Sequence, residues 1–147
     1  MIYIFDTLYV GSHADARNKR LLDEIGIERI VVCPSDIPSY FDDKEYLRLN
    51  INPDTEVTQE LIEKFLTFVG FEFFEDDTLV HIDKRTLIHC HDCQERAPSM
   101  ALILICETGF PFEHAFDFIK SQVPNYEPNP KMLDSIKSIY IKGFVKE

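Results

Sequence analysis

The sequence predicts a single α/β domain, a sandwich in which a central, mostly parallel sheet of about four to five strands is flanked by helices. The order of the chain is the first reason, because strand-like apolar runs alternate with stretches whose apolar spacing fits helices. Size and composition are the second: 147 residues, 45% hydrophobic and 28% charged, are typical of one globular domain. No linker or low-complexity segment interrupts the sequence, so we assign residues 1–147 to one domain.

The first half of the chain predicts four strands and two helices. Two short apolar runs, IYIF and LYVG, come first, and a helix follows that ends at Gly26, a residue suited to a C-terminal cap. The β-branched run RIVVC is typical of a strand covered on both faces, whereas YLRLNI alternates like a strand with one buried face. The second helix is predicted from the spacing of Leu61, Ile62, Phe65, Leu66 and Val69.

The second half begins with two near copies, TLVHID and TLIHCHD. They fit either a hairpin of two strands or one strand preceded by an irregular arm; we favour one strand at 86–90, with 78–82 paired beside it. The apolar run from Pro98 to Gly109 then predicts a short buried helix. Two more helices are expected, one from near Pro111 and one from near Asn129.

Charge and cysteine content exclude several classes of function. The net charge of −11 argues against a nucleic-acid partner, because such binding depends largely on basic residues that neutralise phosphates. No apolar run reaches the length of a membrane span, and the start of the chain lacks the basic region of a secretory signal. We expect a cytoplasmic monomer that contacts neither nucleic acid nor membrane.

Cys33 and Cys106 lie in apolar runs and are expected to be buried free thiols.

Residues able to do chemistry concentrate in one stretch, LIHCHDCQERAPSMAL (87–102). Structural zinc sites usually combine two spaced pairs of ligands, and HCHDC supplies only one crowded cluster. Cys90 and Cys93 have the spacing of a redox pair, but the surrounding sequence differs from the thioredoxin-type setting. Both interpretations are weaker than a third, in which the stretch binds phosphate.

The phosphate interpretation depends on Cys90 and Arg96, which five residues separate and which lie between a predicted strand and a predicted buried helix. A loop of this length can direct successive N–H groups at an anion, while the positive end of the helix points to the same place. That field favours a thiolate nucleophile, and a planar guanidinium can bind two phosphate oxygens at once. The pattern therefore predicts that sulfur attacks phosphorus and that water then hydrolyses the phosphocysteine.

With these residues in view, the sequence resembles the cysteine-dependent tyrosine phosphatase superfamily, most closely its small dual-specificity phosphatases. The resemblance covers nearly the whole chain in four ordered segments: LYVGSHADARN, LLDEIGIERIVV, HCHDCQERAPS and PNYEPNPKML. It implies the α/β fold expected above. It also implies hydrolysis of phosphotyrosine in proteins, with or without phosphoserine and phosphothreonine, and no requirement for a metal or other cofactor.

The resemblance assigns roles within the loop. Cys90 matches the nucleophile and Arg96 the residue that clamps the phosphate through the transition state. The backbone between them is expected to surround the substrate's phosphate, so the substrate-binding residues are His91, Asp92, Cys93, Gln94, Glu95 and Arg96.

Two residues outside the loop also match positions of the family. Asp54, in NINPDTE, matches the general acid that protonates the leaving oxygen and then activates water, with Glu56 in reserve. From the residue pattern alone, Asp54 fits a turn or the cap of a helix beginning near Thr55. His89 matches the histidine before the nucleophile, which tunes the thiolate by hydrogen bonding.

Two loop positions depart from the family pattern, H-C-x-x-G-x-x-R followed by Ser or Thr. Cys93 stands at the glycine position, where a non-glycine residue with positive φ costs on the order of 1 kcal/mol or more. Ala97 lacks the hydroxyl that helps to stabilise the departing thiolate, so hydrolysis of the phosphocysteine is expected to be slow. Two alternatives stay open: a pseudophosphatase that binds phosphorylated ligands without turnover, and a phosphatase of a non-protein phosphate monoester.

Overall fold

Strands and helices alternate along most of the chain, for which the computed structural model describes residues 1–52, 54–74, 79–82 and 84–144. The strands are β1 (Ile2–Phe5), β2 (Leu8–Gly11), β3 (Arg29–Val32), β4 (Glu45–Arg48), β5 (Phe71–Phe74), β6 (Leu79–Ile82) and β7 (Thr86–His89). The helices are α1 (His13–Ala16), α2 (Lys19–Ile25), α3 (Gln59–Val69), α4 (Arg96–Glu107), α5 (Phe112–Gln122) and α6 (Pro130–Tyr140).

The central sheet contains five strands in the order β1-β2-β7-β3-β4. β7 lies in the middle and pairs in parallel with β2 on one side and with β3 on the other. β4 continues the parallel arrangement beyond β3, and β1 is antiparallel to β2. The expected α/β fold with a mostly parallel sheet is therefore confirmed.

Both faces of this sheet are covered. Successive residues of a strand point to opposite faces, and the two apolar clusters follow that rule. Val31, Cys33 and Cys90 belong to the larger cluster, whereas Ile30 and Leu87 belong to the smaller one. Burial on both sides explains why RIVVC is a continuous apolar run rather than an alternating one.

The prediction that residues 78–82 pair beside the strand at 86–90 is wrong. In the described residues, β6 pairs antiparallel with β5 in a separate sheet of two strands, and β7 pairs only within the central sheet. The two near-copy segments both form strands, but a strand pattern does not specify its partner. Two elements were not expected at all: β5, and the four-residue helix α1, which is too short to show a helical period.

The helices begin and end close to where the sequence places them. Gly26 caps α2 with a φ of 86°, in the left-handed region that glycine adopts at low cost. The central helix α4 is buried without interruption from Ala97 to Cys106. Within the described residues, no helix combines the length and the apolar character needed to cross a membrane.

Candidate active site

Cys90 immediately follows the central strand β7, and only 1% of the residue is exposed. Its side chain points to the same face of the sheet as α4, which begins six residues later. The backbone N–H of Ala97, in the first turn of that helix, donates to Cys90 Sγ at 3.4 Å. A helix N-terminus carries partial positive charge, so this contact favours the thiolate form of a cysteine.

The segment between Cys90 and Arg96, which we call the cysteine loop, is held from outside through its carbonyl groups. The residues that donate these hydrogen bonds come from three parts of the chain. His13 N–H donates to His91 O (3.0 Å), Glu127 N–H donates to Gln94 O (2.7 Å), and the Ser99 hydroxyl donates to Glu95 O (2.7 Å).

This arrangement turns amide groups toward the inside of the cysteine loop. The peptide bonds are trans, so each N–H points away from the preceding carbonyl. Because the carbonyls of residues 91, 94 and 95 face outward, the N–H groups of Asp92, Glu95 and Arg96 face inward. Converging amides of this kind form a concavity that binds anions.

Cys93 has a φ of 62°, which is the left-handed conformation that glycine adopts most readily. The loop thus keeps the backbone shape associated with glycine at this position although the residue is cysteine. Burial, with a smaller contribution from the neighbouring Cys90, raises the pKa of the Cys93 thiol to about 12. Cys93 is therefore protonated near neutral pH and is a poor nucleophile.

Arg96 begins α4 and reaches toward the segment that follows β4. Its Nη1 donates to Ile51 O at 3.0 Å. Its Nε is buried and has no hydrogen-bond partner among the described residues. A buried donor without a partner is costly, so this N–H is available to a bound ligand.

Asp54 lies three residues beyond Ile51 and is exposed to solvent. The turn around it is closed by a hydrogen bond of 3.0 Å from Thr55 N–H to Asn52 O. Asp54 does not cap a helix at Thr55, because α3 begins only at Gln59 and its cap is Thr58. The link between Arg96 and Ile51 places the guanidinium at the start of the segment that carries Asp54. Glu56 is exposed in the same segment.

His89, the last residue of β7, is buried to 1% exposure and lies on the face of the sheet opposite Cys90. Burial lowers the pKa of its imidazole to about 4, so the ring is neutral near neutral pH. Its Nδ1 lies 3.4 Å from the backbone carbonyl of Cys90. The described contact is thus with the backbone of the nucleophile position rather than with the sulfur.

The two acidic residues of the cysteine loop differ in their surroundings. Asp92 is exposed, and its carboxylate accepts the Gln94 N–H at 3.4 Å. Glu95 is half-buried; burial raises the pKa of its carboxyl, and its Oε1 has no partner among the described residues.

Exposed residues beside the cysteine loop form a further contact that the sequence did not indicate. His91 Nε2 lies 3.0 Å from Asp36 Oδ1. His13 stacks on Tyr40, with ring centroids 5.7 Å apart, and its Nε2 is 2.5 Å from the tyrosine hydroxyl. The segment between β3 and β4 therefore borders the first half of the loop.

The prediction that Cys33 and Cys106 are buried free thiols is confirmed, but the sequence did not indicate which buried residues lie beside the loop. Cys33 follows β3 beside Cys90, is completely buried, and its thiol has a pKa raised well above the usual value by burial. Ser99, whose hydroxyl lies 2.8 Å from that of the buried Tyr126, owes this contact to long-range packing, for which a single sequence carries no local signal. Within the described residues, no group of three or more potential metal-ligating side chains could hold an ion.

Comparison with known proteins gives relatives of one kind. The chain is 30% identical over 131 residues to the protein-tyrosine-phosphatase MKP1 of Arabidopsis thaliana, covering 86% of this chain and 16% of that protein. It is 26% identical over 144 residues to dual specificity protein phosphatase 8 of Mus musculus, covering 90% of this chain and 20% of the relative. The chain thus spans a fifth or less of these relatives.

Solved structures agree on the fold. Human DUSP28 superimposes with a TM-score of 0.76 at 16% identity, over 94% of both chains. No protein-family model matches the chain.

Proposed function

Because the chain belongs to the cysteine-dependent tyrosine phosphatase superfamily, in its small dual-specificity type, we propose that it hydrolyses phosphotyrosine in proteins, with or without phosphoserine and phosphothreonine. The observation that carries this proposal is the contact of Ala97 N–H with Cys90 Sγ at the start of α4. It supports a sulfur anion at the base of a loop whose amides face inward. The relatives are phosphatases by name, and they support the same class of reaction.

In the first step, the Cys90 thiolate forms a bond to phosphorus and the bond from phosphorus to the substrate oxygen breaks. The inward N–H groups and Arg96 bind the phosphoryl oxygens, where negative charge is held in the transition state. The Arg96 Nε, buried and without a partner in the described residues, is a donor suited to this role. Asp54 protonates the leaving oxygen.

In the second step, water attacks phosphorus, the sulfur–phosphorus bond breaks, and the Asp54 carboxylate takes the proton from water. Inorganic phosphate leaves and the thiolate is restored. The hydroxyl that would assist the departing sulfur is missing at Ala97. Ser99 does not replace it, because its hydroxyl binds Glu95 O and Tyr126 instead. We therefore propose that the second step is the slower one.

We also propose that the protein works in the cytoplasm as a monomer on phosphorylated proteins, without nucleic-acid or membrane partners. The net charge of −11 supports the exclusion of nucleic acid. Fractionation of cells and light scattering of the purified chain test the location and the oligomeric state.

Release of inorganic phosphate from a phosphotyrosine peptide and from an aryl phosphate tests the activity. Wild type is expected to complete many turnovers, and Cys90→Ser to release phosphate at least about a thousandfold more slowly, because a serine hydroxyl is not ionised. Cys106→Ser is the matched control, since Cys106 is also buried but lies at the far end of α4.

Equal rates for wild type and Cys90→Ser would refute the proposal. Capture of the phosphopeptide without phosphate release would favour the pseudophosphatase alternative. Turnover of small phosphate monoesters with none of the phosphopeptide would favour a non-protein substrate.

A further inference from the structure

The second half of the cysteine loop, residues 93–96, is linked to one short segment, Tyr126–Glu127, which lies between α5 and α6. We propose that Tyr126, acting through Ser99, is a positioning residue that fixes the shape of the phosphate-binding loop without touching phosphate. This inference rests on the proposed function, because it concerns how the same loop binds its phosphate.

The direction of the hydrogen bonds can be assigned. The Ser99 hydroxyl donates its single hydrogen to Glu95 O at 2.7 Å. The oxygens of Ser99 and Tyr126 are 2.8 Å apart, so the tyrosine hydroxyl must be the donor to Ser99. Both side chains are almost completely buried, with exposures of 0% for Ser99 and 1% for Tyr126. The chain of donors therefore runs from Tyr126 through Ser99 to the loop carbonyl, away from competing water.

The same segment also bonds the loop directly and is itself anchored. Glu127 N–H donates to Gln94 O at 2.7 Å. The Tyr126 N–H bonds to Val123 O at 2.9 Å, and Lys120 Nζ donates to Tyr126 O at 2.8 Å. The segment that α5 holds in place thus bonds Gln94 O directly and reaches Glu95 O only through the Ser99 hydroxyl.

These two carbonyls determine where the phosphate donors point. The peptide that ends in Gln94 O carries the N–H of Glu95, and the peptide that ends in Glu95 O carries the N–H of Arg96. Glu95 O also accepts the backbone N–H of Ser99, at the longer distance of 3.3 Å. Weakening the shorter bond from the Ser99 hydroxyl therefore leaves the peptide plane less firmly held, and its N–H turns partly away from the anion. The loop needs this external support because Cys93 holds a φ of 62° without being glycine.

A purely structural role is the alternative explanation. Buried tyrosine hydroxyls usually have a partner, and serine in a helix often bonds the carbonyl four residues before it. In that case, removal of the Tyr126 hydroxyl would lower the stability of the fold but leave the affinity for phosphate unchanged.

The test measures binding of inorganic phosphate to the full chain by calorimetry, so that it does not depend on turnover. Tyr126→Phe is expected to weaken phosphate binding about five- to tenfold, the range for loss of one buried hydrogen bond. Tyr140→Phe is the matched control, because its hydroxyl also bonds a neighbour, Glu107 at 2.5 Å, but away from the loop. The control is expected to change the affinity less than twofold.

A double-mutant cycle tests whether Tyr126 acts through Ser99. Ser99→Ala with Tyr126→Phe is expected to bind phosphate as Ser99→Ala alone does, since the second change then removes nothing further. Additive losses in the double variant would overturn the route through Ser99. Equal affinities for wild type, Tyr126→Phe and Tyr140→Phe would overturn the positioning role while the proposed function stands. A wild type that neither binds nor releases phosphate would overturn both.

Discussion

The two halves of the cysteine loop are held in different ways. The first half, residues 90–92, is bordered by side chains that water reaches, as in the pair of His91 with Asp36. The second half, residues 93–96, is held by the completely buried Ser99 and by the backbone of Glu127. Removing one partner of a buried hydrogen bond costs more free energy than removing one partner of an exposed hydrogen bond. The first half also has a backbone bond, from His13 N–H to His91 O at 3.0 Å, but the second half, which ends at Arg96, has the buried side-chain support as well.

The largest expected effect lies at the end of the second half. Arg96→Lys keeps the positive charge but removes the planar donors, and kcat/KM for an aryl phosphate is expected to fall about a hundredfold or more. The control is Arg48→Lys, because Arg48 binds Pro34 O in the segment that borders the first half. A decrease in kcat/KM of similar size in both variants would mean that the two halves of the cysteine loop do not differ as described.

The next largest effect is expected on the pH dependence of stability. It concerns His89, the residue just before the first half of the cysteine loop. Its folded-state pKa of about 4 lies below the usual 6.5, so between these values the unfolded chain binds a proton that the folded chain does not. The free energy of unfolding therefore rises with pH across this window, and His89 contributes up to about 3 kcal/mol of that rise.

Chemical denaturation of wild type, His89→Gln and His114→Gln at several pH values checks this dependence. The rise between pH 4 and 6.5 is expected to shrink in His89→Gln and to persist in His114→Gln, since His114 is exposed. An unchanged slope in His89→Gln would contradict the neutral, buried ring.

A smaller effect is expected at Cys93, where the second half begins. Cys93→Gly relieves the positive φ and is expected to raise the free energy of unfolding by up to about 1 kcal/mol, measured by denaturant titration. Asn50, with a φ of 55°, supplies the control. The free energy of unfolding is expected to rise less in Asn50→Gly, because asparagine tolerates this conformation. A loss of stability in Cys93→Gly would show that packing of the thiol outweighs the backbone strain.

The smallest effect is expected at the exposed pair of the first half. Asp36→Asn removes the charge beside His91, and exposed ion pairs contribute about 0.2–1 kcal/mol at most. The change in kcat/KM for the aryl phosphate is expected to stay within about threefold, and to become smaller still at high salt. A larger decrease would place this pair among the contacts that fix the loop.

The sequence predicted what depends on local pattern. The β-branched run before Cys33, the spacing of Cys90 and Arg96, and the apolar helix after Pro98 each carry their signal within a few residues, so the sheet and the helices follow. The positions of Cys90 and Arg96 around one loop followed from the strand, loop and helix on either side.

The sequence could not supply contacts that join distant segments through the backbone. Glu127 N–H binds Gln94 O regardless of either side chain, and Tyr126 meets Ser99 only because α5 packs near α4. Strand partners failed for a related reason, since the pattern of β6 fits a place beside β7 as well as its actual place beside β5. Of the two alternatives that the residue pattern left for Asp54, a turn or a helix cap, the structure has the turn; the cap is Thr58, and the pattern could not choose because both residue types cap helices well.

The most direct test of the account is a search for a phosphoryl group on Cys90 itself. Wild type is mixed with an aryl phosphate, quenched in acid within the first turnovers, digested and measured by mass spectrometry. Because Ala97 leaves the second step without a hydroxyl, the peptide that contains Cys90 is expected to carry the mass of one phosphoryl group. Steady phosphate release with no phosphorylated Cys90 peptide at any quench time would contradict the phosphocysteine route.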